Sequence, residues 1–250
     1  MISLLAMTLQ KQERYEAAEM MYCRQLNLYE NTRGDNDANT LLCLRDLALV
    51  LRMQGKFAAA EDMCRHACEG IEKAFGREHI YTSDCFACLA LCLQGLKKFE
   101  AAEELQRRVL QSFEKEIGVD HPNFHSATCE LSTTLLCRGK HEASEQLARQ
   151  ALEGLEKTLG AEHPSVLASL QLLLATLGAQ GKFHEMHDLT RRAVKDCERI
   201  LGVDDPRTLD PLELLADVLK HQGKLAEADE VYQRMLERRE EAKRPADQID

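Results

Sequence analysis

The chain has 250 residues and a net charge of −10, from 32 Lys and Arg against 42 Asp and Glu. That balance argues against a nucleic-acid partner, whose affinity comes mostly from neutralised phosphates, and the absence of Trp with only 5% aromatics removes base-stacking platforms. The ten cysteines come with no sign of a secretory leader, since the apolar start Met1 to Met7 lacks a cationic n-region; reduced thiols in a cytoplasmic setting are expected, and no apolar run is long enough for membrane insertion.

In chain order, the opening helix begins at Ile2, with no room for an N-cap and its preceding loop. The chain therefore reads as cut from something longer, and other domains of a parent chain become candidate partners. From Tyr15 onward a unit recurs: Tyr15, Phe57, Phe99, His141, Phe183 and Leu225 stand 42 residues apart, as do Gly34, Gly76, Gly118, Gly160 and Gly202. Fixed self-similarity at this period signals a solenoid, in which each unit buries its apolar face against its neighbours. One array over residues 1–240 is expected, in repeats of roughly 1–38, 39–80, 81–122, 123–164, 165–206 and 207–240, followed by a polar tail at 241–250.

The second copy shows the unit. Leu44, Leu47, Ala48 and Leu51 mark one face of a helix from about Thr40 to Gln54. Gly55-Lys56 breaks it, and Phe57, Ala60, Cys64, Ala67 and Ile71 mark a second helix that Gly76 closes as a left-handed C′ residue. Pro122, Pro164 and Pro206 fall just before or in the first turn of the next hairpin, and Asp210-Pro211 in the first turn of the last. Small pairs set the approach of the two helices: Ala48 and Ala60, Ala90 and Ala102, Ser132 and Ser144, Ala216 and Ala228. The fifth copy has Leu174 and Met186 there, which predicts a hairpin spread locally unless Met186 adapts.

Leu44-x2-Leu47-Ala48-x2-Leu51 followed by Ala60-x3-Cys64-x2-Ala67 resembles the tetratricopeptide repeat pattern. With its 42-residue period, its Gln180-Gly181-Lys182-Phe183 turn, its Glu156-Lys157-Thr158-Leu159-Gly160 helix end and its His163-Pro164 loop, the chain is similar to the array of kinesin light chains, and also resembles arrays attached to signalling NTPases. The resemblance implies an all-α, right-handed superhelical solenoid of six helix-turn-helix hairpins. Kinesin light chains carry paired groove asparagines that help hold a cargo peptide; the matching places here are Arg45-Asp46, Ala87-Cys88, Cys129-Glu130, Gln171-Leu172 and Glu213-Leu214, with no asparagine.

Candidates for chemistry each have a structural explanation. Cys85, Cys88 and Cys92 fall along one helix without a fourth ligand or a turn between them, so they read, with Cys64 and Cys68, as small buried fillers rather than a metal or redox site. The Gly-Lys pairs follow helices, not strands, and read as turns instead of phosphate loops. His79, His121 and His163 recur in loops as capping residues. No catalytic constellation or cofactor site can be assembled, and no enzyme activity is expected.

A surface remains, lined by first-helix residues. It comprises Leu42, Arg45, Leu49, Arg52 and Met53; Asp84, Ala87, Leu91 and Gln94; Ser126, Cys129 and Thr133; Ala168, Gln171 and Ala175; and Asp210, Glu213, Asp217, Lys220 and His221. It runs from basic and apolar, through neutral, to acidic, which would orient a partner segment with its acidic end at Arg45 and Arg52 and its basic end at Glu213 and Asp217. The expected function is a protein-interaction scaffold or adaptor that binds a partner peptide or helix in this groove; the other reading is a sensor or regulatory arm of a larger signalling NTPase or enzyme.

Overall fold

The computed structural model describes residues 2–203 and 205–241, and the polar tail expected at 241–250 lies, beyond Glu241, outside the described residues. The fold is all-α, in two compact units, 1–138 and 139–250. The first holds α1 (Ile2–Lys11), α2 (Tyr15–Arg33), α3 (Ala38–Met53), α4 (Phe57–Phe75), α5 (Ile80–Gly95), α6 (Phe99–Glu116) and α7 (Pro122–Cys137). The second holds α8 (His141–Leu159), α9 (Pro164–Ala179), α10 (Phe183–Leu201), a 3-10 turn (Pro206–Thr208), α11 (Leu209–His221) and α12 (Leu225–Glu241). Within each unit successive helices pack on one another. No helix among the described residues is long and apolar enough to cross a membrane.

Side-chain caps start the first helix of four hairpins, α3, α5, α7 and α9. Asp37 accepts from the backbone N–H of Asn39 at 3.0 Å, and the Nδ1 atoms of His79, His121 and His163 accept from Tyr81, Asn123 and Ser165, each at 3.1 Å. Each bond satisfies a donor that the helix start leaves orphaned. Inside the hairpins the Gly-Lys turn works through its backbone: Lys56 N–H donates to Leu51 at 2.9 Å and Lys182 N–H to Leu177 at 3.0 Å, the six-to-one bond of a Schellman ending. Lys97 holds the glycine place of that turn at φ +59°, a left-handed conformation that a side chain disfavours.

One expectation, on Gly76, needs correction, and those on Pro206 and Pro211 hold. Gly76 has φ +89° and ψ +169°, an extended mirror-image conformation rather than the left-handed helical one; without a Cβ, glycine alone reaches it readily. Pro206 opens the 3-10 turn, and α11 starts at Leu209 with Pro211 in its first turn.

Packing follows the small-residue pattern. Ala48, Ala60, Ala90 and Ala102 are fully buried in the first unit, as are Ala216 and Ala228 in the second. Leu174 and Met186 are both buried as well, so Met186 does not turn to solvent. Ion pairs tie successive hairpins: Glu19 to Lys56 at 3.0 Å, Glu61 to Lys98 at 2.8 Å, and in the second unit Glu145 to Lys182 at 2.7 Å. Lys56, Lys98 and Lys182 thus each reach back from their turn to a glutamate on the preceding second helix. Lys182, Arg149 and Gln180 hold the Glu145 carboxyl down to about 2, against the opposing effect of burial.

Candidate functional site

In the first unit α3 touches α5 and α5 touches α7, so the first helices lie side by side. Leu42, Arg45, Leu49 and Arg52 on α3, Asp84, Ala87, Leu91 and Gln94 on α5, and Cys129 and Thr133 on α7 are all half-buried. The aliphatic members form an apolar floor with charges among them. Arg45 is already engaged: Nε and Nη2 donate to Asp46 Oδ1 at 3.0 and 2.7 Å, and Nη1 lies 3.9 Å from Asp84. Burial pushes the Asp84 carboxyl up, with Arg45 opposing. Arg52 differs. Its Nη2 reaches only Met53 Sδ at 3.2 Å, and its Nε is buried without an acceptor. Glu130, half-buried on α7, has its carboxyl pushed up to about 7 by burial, with the Arg52 charge opposing the shift; it makes no ion pair among the described residues.

In the second unit Ala168, Gln171 and Ala175 on α9 and Asp210, Glu213, Asp217 and Lys220 on α11 are exposed. Glu213 pairs with Arg239 at 3.2 Å, Asp217 accepts from the Tyr232 hydroxyl at 2.7 Å, and Lys220 lies 5.0 Å above the Tyr232 ring. A cleft of about 290 Å³ takes in Ala168, Gln171 and Asp210 with Leu167, Ile200 and Arg207. Some of the acidic character expected here is already answered by neighbours on α12.

The model of the tetratricopeptide repeat family matches residues 1–73, 48–115 and 82–157, and a second model of that repeat matches 211–242. The chain belongs to the tetratricopeptide repeat family. No curated protein matches it. Among solved structures, TPR-like repeats of a kinesin-light-chain-like protein from Podosopora anserina share 23% identity at a TM-score of 0.74, over 84% of this chain and 99% of that one. BtubC (BKLC) from P. vanneervenii shares 16% at a TM-score of 0.77, over 95% of each chain. A Rap protein complexed with competence and sporulation factor shares 13% at a TM-score of 0.67, over 96% of this chain and 74% of that one. The tetratricopeptide array is therefore, in fold, of the kinesin-light-chain-like type, a protein-interaction repeat scaffold.

The same tetratricopeptide array holds two features outside that surface. Arg77, Glu100, Glu104, Arg107, Arg108 and Arg138 border a cleft of about 440 Å³ built around the second helix α6, with the Arg108 guanidinium 4.0 Å above the Phe86 ring and 2.7 Å from Glu72. First-helix counting could not reveal it, because its residues come from the other face. Between α4 and α5 the cysteines converge. Cys64 Sγ lies 2.8 Å from Cys88 Sγ and 3.9 Å from Cys92 Sγ, all three fully buried, and Cys68 and Cys85 are buried on the same two helices. Hydrogen bonds from Cys64 and Cys88 lower Cys92 from its ordinary thiol range, and Arg52 adds to that shift. The sequence showed three thiols along α5; it could not show that Cys64 of α4 stands among them.

Proposed function

We propose that the chain binds an extended or helical segment of a protein partner along its first-helix surface. The observation that carries the reading is the half-buried floor of Leu42, Leu49, Ala87 and Leu91 beside Arg52, a cation that makes no ion pair among the described residues. An apolar floor supplies affinity through burial, and an unanswered guanidinium selects an acid. Arg45, neutralised by Asp46 and Asp84, would position the chain rather than receive the ligand's charge. The exposed Asp210, Glu213 and Asp217 would meet a basic stretch of the partner. That a Rap protein of the same fold is complexed with competence and sporulation factor supports reading such a surface as a ligand seat. The absence of groove asparagines points to recognition by side-chain charge and apolar contact, not by amide ladders along a peptide backbone.

The test is selection of a random linear peptide library on the immobilised chain, followed by fluorescence anisotropy of the enriched peptides. Enriched peptides should carry an acidic residue next to apolar ones, and Arg52→Glu should weaken them at least tenfold while the helical melt stays in place. Peptides that bind Arg52→Glu as well as the unmodified chain would reject this surface.

A further inference from the structure

The five cysteines between α4 and α5 are more than the packing of small fillers requires. Cys64, Cys88 and Cys92 place their sulfurs mutually within 4.8 Å, from two helices, with none exposed by more than 2%. Three sulfurs each about 2.3 Å from a central ion would stand about 4.0 Å apart. Cys64 and Cys92, at 3.9 Å, already match that spacing. Cys64 and Cys88 at 2.8 Å must separate by about an ångström, which rotation about Cα–Cβ supplies.

We propose that Cys64, Cys88 and Cys92 form a binding site for a soft, thiophilic metal ion, copper(I). The donor set decides the ion. Thiolates select soft cations, whereas structural zinc is almost always four-coordinate; the cluster has three sulfurs in mutual reach and no fourth His, Asp or Glu within it among the described residues. Loading releases up to three thiol protons to water and leaves the copper(I) trithiolate with charge −2, a burden in a dry interior. Arg52, whose charge already acts on Cys92 and whose Nε lacks an acceptor, is the cation that offsets it. No electron transfer is involved. The site shares Arg52 with the proposed partner surface, and copper is therefore titrated with no peptide present.

The experiment uses the full, reduced chain under anaerobic conditions, titrated with copper(I) against a chromophoric copper(I) chelator. The bound and free forms are then alkylated and each cysteine's labelling read by peptide mass. One equivalent should be retained, with Cys64, Cys88 and Cys92 protected while the exposed Cys137 stays reactive. Cys88→Ala and Cys92→Ala should each lower retention at least tenfold, and Cys197→Ala, buried in the other unit, should not. If an alanine variant fails to fold, X-ray absorption of the copper-loaded unmodified chain decides, with three sulfurs at about 2.3 Å expected and any other ligand set overturning the site. Copper held equally by Cys88→Ala and Cys92→Ala, no retained equivalent, or a Cys64–Cys88 disulfide that excludes copper would each overturn the site.

Discussion

Met186 lies against Gly178: a Cβ built on Gly178 would stand 3.6 Å from Met186 Cε and 3.8 Å from its Sδ. The fifth hairpin carries two large residues, Leu174 and Met186, at its tight crossing, and both are buried. Part of the room they need comes from the missing side chain at Gly178, one turn beyond Leu174 on α9. The compensation travels along the same helix face, and a flexible thioether is the side chain suited to use it.

Gly178 should therefore respond with opposite signs to small and large replacements. Gly178→Ala makes only ordinary van der Waals contact and removes a helix glycine, so it should raise stability by about 0.5 kcal/mol. Gly178→Leu must displace Met186 and should cost about 1–3 kcal/mol. Urea unfolding of both variants checks the pair; destabilisation by alanine would contradict it.

His187 occupies the place held by Glu19, Glu61, Glu103 and Glu145, and Lys224 is its charged neighbour across the hairpin step. Burial, then Lys224 and Arg191, depress its pKa below the ordinary 6.5. Because the folded pKa lies below the unfolded one, the unfolded chain binds more protons between them, and stability is lost as pH falls below about 6.5. His187→Glu should restore the ion pair seen at Glu145–Lys182 and raise stability by about 0.5 kcal/mol at pH 7, more at pH 5.5. Thermal melts at the two pH values measure it.

Glu130 behaves in the opposite sense. Its carboxyl is raised from 4.5 to about 7, so the folded state binds more protons between those values, and this group's contribution to stability falls as pH rises from about 4.5 to 7. Glu130→Gln should remove that slope and stabilise the first unit by about 1–2 kcal/mol at pH 8. In the unmodified chain, ionised Glu130 competes for Arg52, so an acidic peptide should bind more weakly at pH 8 than at pH 6; equal affinity would count against Arg52 as its seat.

The histidine caps give a further comparison. His121→Ala removes the acceptor for Asn123 N–H and should cost about 1 kcal/mol. His121→Asp should hold stability, because Asp37 and Asp205 already accept from the matching backbone donors at 3.0 and 2.9 Å. Chemical denaturation midpoints of the two variants decide.

Much of the fold was legible because its signals are local and repeated. The spacing of Leu44, Leu47, Ala48 and Leu51 fixes a buried stripe that α3 shows, and the loop histidines sit where a helix start needs an acceptor. Gly76 was harder to read, since a glycine specifies positive φ but not ψ. What stayed hidden depends on partners 24 to 43 residues away. The pairing of Arg45 with Asp84 and the entry of Cys64 between Cys88 and Cys92 require the rotation of one helix about its axis relative to the next. Residue spacing within one helix carries no such information. The Glu61–Lys98 ladder was accessible in principle, because both residues keep the 42-residue register.

The central claim is that the half-buried first-helix surface around Arg52 receives an acidic segment of a protein partner. It is tested most directly by measuring, at pH 6.5, the affinity of one library-selected acidic peptide for the unmodified chain, for Arg52→Glu, and for Arg149→Glu on the second helix α8. The account predicts at least a tenfold loss with Arg52→Glu and no change with Arg149→Glu, with all three chains equally helical. Equal binding by Arg52→Glu, or a loss confined to Arg149→Glu, would contradict it.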